Sequence, residues 1–294
     1  MQIDVVFSGG GARGFAYIGV LQAIESKNFT IKSSIGSSVG AIMAGLIACD
    51  YTSTELYDLF IRLDITRLLK DKEPPSFLAW FKWLKLYYCL GLYNTDPLEN
   101  ILTELCAKKG YHTFGQLEKG KLCVTAVDLT LGKLIVIPDD LETYYGINPD
   151  LFSIAKALTM SASLPYFFKP YRLKTAKGKT HLIVDGGLVS NLPMWLKEEQ
   201  SNRLKRPLVG FQLQSKENYF HQPKLDNGIN YTKVLLKTMQ DAQDVRYLLA
   251  NQTRHVVYLN TDFIKTIHFQ ISKKERLQLI ELGRKRTESY LNKL

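Results

Sequence analysis

The sequence predicts an α/β protein: a mostly parallel sheet with helices on both faces, a three-layer sandwich spanning residues 1–294 as a single domain. Three observations predict it. Short β-branched and aromatic runs stop abruptly at glycine or aspartate. Helix-patterned stretches separate most of these runs, the alternation that builds parallel sheets. The 294 residues are 46% hydrophobic and 22% charged. That composition excludes a disordered chain and leaves enough apolar side chain to seal a site from water without disulfides or metal clips.

The elements follow in order. Ile3 to Phe7 is a buried strand ending at glycines, and a helix starts near Gly14 with Tyr17, Leu21 and Ile24 on one face. A second short strand precedes Gly36. The small-residue run from Ala41 to Cys49 reads as a closely packed helix behind it. Further strands are expected at Lys121 to Val127, Leu134 to Ile137, His181 to Val184, Leu208 to Leu213 and Val256 to Leu259. Pro74-Pro75 and the Lys-rich turn from Lys174 to Lys179 are local breaks, too short to divide domains.

The bulk properties also bound the function. Cys49, Cys89, Cys106 and Cys123 form no CxxC, and no histidine follows at zinc-ligand spacing. They read as small buried hydrophobes, compatible with a reducing compartment. The N-terminus lacks a basic region followed by a long apolar run, and no apolar stretch is long enough to span a bilayer. The expected location is cytoplasmic or peripheral to a membrane, with export only by a signal-independent route. A net charge of +10 suits nucleic acid or an anionic membrane surface. The basic residues are dispersed, however, apart from Lys273-Lys274 and Arg284-Lys285-Arg286. No zinc finger, RNP motif or basic arm is present, so nucleic acid is not an expected partner.

Two glycine motifs carry the chemistry. Gly9-Gly10-Gly11-Ala12-Arg13-Gly14 matches GxGxxG between a strand and a helix. A dinucleotide site also requires an acidic residue about twenty positions on, where this chain has Ile31-Lys32-Ser33-Ser34-Ile35, and the P-loop Lys-Ser/Thr pair is missing. The physical content of the loop survives. Successive glycines expose backbone N–H donors at a helix N-terminus, a setting that favours a phosphate or a developing oxyanion. Arg13 adds a cation beside them.

The second motif supplies a nucleophile. Gly36-Ser37-Ser38-Val39-Gly40 is GxSxG, set between a strand and the helix-forming Ala41-Ile42-Met43-Ala44. That is the strand–elbow–helix context in which the serine hydroxyl projects clear of the backbone. A serine nucleophile needs a base. His112, His181, His221, His255 and His268 sit in no glycine-flanked turn, and each reads as a surface or structural residue. Asp185 closes an apolar strand and is followed by Gly186-Gly187. From spacing alone it is equally a strand-capping turn residue or the base.

These motifs, in this order, resemble the patatin-like phospholipases. Gly9 to Gly14, Gly36 to Gly40 and Asp185-Gly186-Gly187-Leu188-Val189-Ser190-Asn191-Leu192-Pro193 each resemble a family block. So does Ala157-Leu158-Thr159-Met160-Ser161-Ala162-Ser163-Leu164-Pro165-Tyr166-Phe167-Phe168-Lys169-Pro170. The similarity runs from about Ile3 to Leu213, with a weaker echo after Ile271. Many relatives read Asp-Gly-Ala where this chain has Asp185-Gly186-Gly187, a change between small residues.

The resemblance implies the patatin-like α/β/α fold and a Ser38–Asp185 dyad with no third member. It places the oxyanion at Gly9, Gly10, Gly11, Arg13 and Gly14, with Gly36, Val39 and Gly40 forming the elbow. Ser38 would attack a fatty-acyl ester of a phospholipid or lysophospholipid while Asp185 takes its proton. Water would then release the fatty acid from the acyl-enzyme. No metal or cofactor is implied. An acyltransferase of the same fold and a non-catalytic binder of anionic ligand or membrane are the competing expectations.

One segment suggests how lipid is reached. Residues 74–93 hold Phe77, Trp80, Phe81, Trp83, Tyr87, Tyr88 and Tyr93 with Lys82 and Lys85 interleaved. The pattern fits a lid or interfacial segment contacting an anionic membrane, as it fits a core helix with two snorkelling lysines.

Overall fold

A computed structural model describes residues 1–62, 90–197, 206–214, 255–262 and 271–293, together with Val234 and Thr238. In chain order the elements are β1 (Gln2–Phe7), α1 (Ala16–Ser26), β2 (Thr30–Ser37), α2 (Val39–Ala48), α3 (Ser53–Arg62), β3 (Gly91–Tyr93) and α4 (Asp96–Lys108). They continue with β4 (Leu122–Asp128), β5 (Lys133–Ile137), α5 (Leu141–Tyr145), α6 (Ile154–Ser161), β6 (Tyr166–Phe168), β7 (Tyr171–Lys174) and β8 (Thr180–Asp185). The last are β9 (Leu208–Gln214), β10 (Val256–Asn260) and α7 (Lys273–Leu291). Short 3-10 turns cover Gly11–Phe15, Gly186–Leu188 and Met194–Leu196, among others.

One eight-stranded sheet runs β10-β9-β1-β2-β4-β8-β7, with β5 also on β4. The five strands from β10 to β4 are mutually parallel, while β5, β8 and β7 join antiparallel. The expected α/β class and mostly parallel sheet are both present. The strand signals were strong because the central strands are buried on both faces. In β1, Ile3, Val5 and Phe7 enter the main core with residues of α1, α2, α6 and α7. Val6 faces the other way, with Ile35, Cys123 and Val136 under Leu192 and Met194. Among the described residues no helix is long and apolar enough to cross a membrane.

One feature of the topology positions the site. On one edge, β4 pairs with β5 from Val124 to Asp128. Its other edge is shared: β2 holds Leu122 to Thr125, and β8 holds Ala126 to Asp128. Because β2 runs parallel to β4 and β8 antiparallel, their C-terminal ends meet. Ser37 stands opposite Thr125, and Asp185 opposite the next residue, Ala126. The chain therefore brings residues 38 and 185 together through strand pairing.

The sequence reading did not contain β3, β6 or β7, which are three or four residues long. β3 and β6 pair only with each other, in a separate two-stranded sheet. In the segment 74–93, residues 74–89, with both tryptophans, lie outside the described residues. Of the rest, Gly91–Tyr93 is β3.

Candidate active site

Ser38 is the single residue between β2 and α2, with φ 56° and ψ −128°. A non-glycine residue held at positive φ costs about 1–3 kcal/mol, and such strain collects at functional turns. The flanking glycines make the turn possible. A Cβ on Gly36 would lie 2.2 Å from the Gly40 carbonyl oxygen, and one on Gly40 would lie 2.3 Å from that of Phe7. Backbone fills the space a side chain would need on either side.

The hydroxyl that this turn projects meets the carboxylate at the end of β8. Ser38 Oγ donates to Asp185 Oδ2 at 2.5 Å. The other carboxylate oxygen, Oδ1, accepts the Gly187 N–H at 2.7 Å. Asp185 is 2% exposed, whereas Ser38 is half-buried and reachable from outside. Burial pushes the Asp185 carboxyl up to about 6, against the opposing pull of the hydrogen bonds from Ser38 and Gly187. Gly186 passes so close to β4 that a Cβ there would sit 2.3 Å from the Thr125 carbonyl oxygen. This explains the small residues after the aspartate.

The end of α6 fixes both partners. Ser161 Oγ accepts the Ser38 N–H at 3.0 Å, and the Ser163 carbonyl accepts the Asp185 N–H at 3.0 Å. Neither serine was singled out as a site residue in the sequence, although both fall in the block from Ala157 to Pro170. A buried serine gives no signal of which backbone group it serves.

The glycine loop lies against the nucleophile: a Cβ on Gly9 would be 3.1 Å from Ser38 Cβ and 2.6 Å from Asn191 Oδ1. Its residues have distinct duties. Gly9 donates its N–H to the Asn191 carbonyl at 3.2 Å, so that donor is already engaged. Gly11, at φ 54°, opens the 3-10 turn, and Gly14 packs against Val39, the first residue of α2. The N–H groups of Gly10 and Gly11 have no acceptor among the described residues. Arg13 is buried, with Nε donating to the Gly10 carbonyl at 3.2 Å and Nη1 to Thr261 Oγ1 at 3.5 Å. Burial draws its guanidinium below the usual arginine range. Its hydrogen bonds go to the loop's own backbone and to the end of β10. The expected cation beside the donors is thus placed as a brace of the loop.

No histidine among the described residues bonds Ser38 or Asp185. His181 Nδ1 lies 2.7 Å from Asp128 Oδ2, which also accepts the Tyr145 hydroxyl at 2.8 Å, and His255 Nδ1 bonds the Tyr290 hydroxyl at 3.1 Å. His221 and His268 lie outside the described residues.

Comparison with known proteins agrees with this arrangement of motifs. The family model described as patatin-like phospholipase matches residues 5–196. The uncharacterized protein YqhO of Bacillus subtilis is 40% identical over 291 residues, covering 99% of this chain and 98% of its own. Neuropathy target esterase sws of Drosophila grimshawi is 28% identical over 196 residues, 65% of this chain but 11% of that much longer protein. Among solved structures, VipD from Legionella pneumophila superposes with a TM-score of 0.57 at 17% identity, over 99% of this chain and 67% of its own.

Proposed function

The chain belongs to the patatin-like phospholipase family, and from that premise we propose that it hydrolyses fatty-acyl esters of phospholipids or lysophospholipids through a Ser38–Asp185 dyad. The observation that carries this reading is the 2.5 Å hydrogen bond from Ser38 Oγ, on a strained elbow, to a buried carboxylate. The esterase name of the Drosophila relative supports the reaction class.

The geometry lends itself to two balanced steps. Ser38 Oγ attacks the ester carbonyl carbon as its proton passes to Asp185 Oδ2. The tetrahedral oxyanion forms beside the loop, where the N–H groups of Gly10 and Gly11 are the candidate donors, each contributing about 10²–10³ in rate. When the C–O bond breaks, Asp185 returns the proton to the departing alkoxide, leaving a lysolipid or alcohol and an acyl-enzyme. Water then attacks the acyl carbon, giving its proton to the same carboxylate, which reprotonates Ser38 as the fatty acid leaves.

A carboxylate is ordinarily too weak a base for this role. Burial that raises Asp185 to about 6 makes it a stronger proton acceptor while leaving it ionised at neutral pH, the compromise required of a general base. The elbow, the Gly187 N–H and the Ser161 hydroxyl hold nucleophile and base in place, so little reorganisation accompanies the attack.

The test is incubation with a mixed phospholipid extract, reading released fatty acids and lysolipids by mass. The account expects both products from the native protein and neither from Ser38→Ala. Acyl transfer to an added alcohol without free fatty acid would assign the site to an acyltransferase.

A further inference from the structure

Beyond the active-site end of the sheet lies a surface that the reaction itself does not use. Past Asp128, β4 continues into a hairpin tip, Leu129-Thr130-Leu131-Gly132, before β5 returns. Leu129 and Leu131 are 52% and 38% exposed and belong to neither hydrophobic cluster of the core. The β7–β8 turn stands beside this tip. The Leu129 N–H donates to the Leu182 carbonyl, and the Leu182 N–H donates to Thr130 Oγ1. The same turn reaches α5, where the Ala176 N–H donates to the Tyr145 carbonyl.

The charge of this surface is one-sided. Lys133 follows the hairpin tip and lies 5.0 Å from the ring centroid of exposed Tyr144. Lys174, Lys177 and Lys179 line the neighbouring turn, all exposed. Glu142 on α5 is the nearby exposed acid. Two exposed leucines and a tyrosine, with four lysines on the same hairpins, are a poor match for water and a good one for an anionic bilayer. Apolar tips enter the headgroup–acyl boundary, and the ammonium groups meet lipid phosphates and carboxylates.

We propose that the paired β4–β5 and β7–β8 hairpins are the surface by which the protein docks on anionic lipid bilayers. The position suits the reaction. Asp185 stands opposite Ala126, and the tip begins three residues further along β4, roughly 10 Å away at the strand rise. Docking there holds the active-site end of the sheet toward the lipid. The proposal rests on the lipid-ester reading only for its choice of partner.

The experiment uses the full chain carrying Ser38→Ala, so that vesicles are not consumed, in co-sedimentation with phosphatidylcholine vesicles with and without phosphatidylserine. Binding is expected with phosphatidylserine, at least about tenfold weaker without it. Leu129→Ser with Leu131→Ser, and separately Lys174, Lys177 and Lys179 each changed to Gln, should each weaken binding at least about tenfold. In the otherwise native chain, the same changes should leave hydrolysis of a soluble short-chain ester intact, which also shows that they fold. The lysine set alone suffices if the leucine pair disturbs folding. Native-strength vesicle binding by the lysine variant, or preferential capture of RNA over vesicles, overturns the proposal. A native protein that docks but cleaves no ester would instead count against the hydrolase reading and leave the docking surface standing.

Discussion

Replacing Asp185 with asparagine should abolish hydrolysis and at the same time make the protein more stable at neutral pH. The carboxyl is 2% exposed and is raised from 3.8 to about 6, chiefly by burial. The folded chain therefore holds its proton more tightly than the unfolded chain, which works against folding wherever the group must be ionised. The stabilising effect of the proton is full below about pH 4 and is lost as pH rises through about 6. At pH 7 the gap between the two values corresponds to roughly 3 kcal/mol of destabilisation from ionised Asp185. Asparagine removes that cost while its oxygen still accepts the Gly187 N–H and its amide reaches Ser38 Oγ. Urea unfolding at pH 7 should show Asp185→Asn ahead by about 2–3 kcal/mol, narrowing to about 0.5 kcal/mol at pH 4. Equal stability of the two proteins at pH 7, or a less stable variant, would refute the picture of a desolvated base.

The remaining predictions concern rate and fold. On a soluble ester, kcat/KM should rise with pH along a single limb centred near 6, falling at pH 5 to about one-tenth of its plateau. A flat profile from pH 5 to 8 would count against Asp185 as the base. Gly36→Ala and Gly40→Ala each press a Cβ onto backbone at 2.2 or 2.3 Å, so each should cost more than about 3 kcal/mol or prevent folding, as thermal melts would show. Ser161→Ala leaves the Ser38 N–H without its acceptor; kcat should fall roughly tenfold with KM little changed, and restoration by Ser161→Thr would mark a positioning role.

Much of this arrangement was legible before the structure. The strands β1, β4 and β9 announced themselves because burial on both faces leaves few polar interruptions, whereas β2, with Thr30, Lys32, Ser33, Ser34 and Ser37, showed chiefly through the glycine near its end. Ser38 could be found from its elbow because steric crowding there tolerates only glycine at Gly36 and Gly40. Asp185 was different. Its partnership depends on β2 and β8 sharing one edge of β4, a non-local pairing between residues 147 apart that periodicity does not encode. The duties within the glycine loop were hidden for the same reason. Gly9 and Arg13 look like further donors in the sequence; in the structure the Gly9 N–H meets the carbonyl of distant Asn191, and Arg13 bonds both the Gly10 carbonyl and the distant Thr261 hydroxyl. The short strands β3, β6 and β7 carry too few residues for a period to show.

The central claim is that Ser38 is the atom-bearing nucleophile and Asp185 its base. The most direct test is to label the native protein with a fluorophosphonate ester and map the adduct by peptide mass. The account predicts one adduct, on Ser38, forming at least about a hundredfold more slowly in Asp185→Asn. An adduct on any other residue, or undiminished labelling of Ser38 in Asp185→Asn, would contradict it.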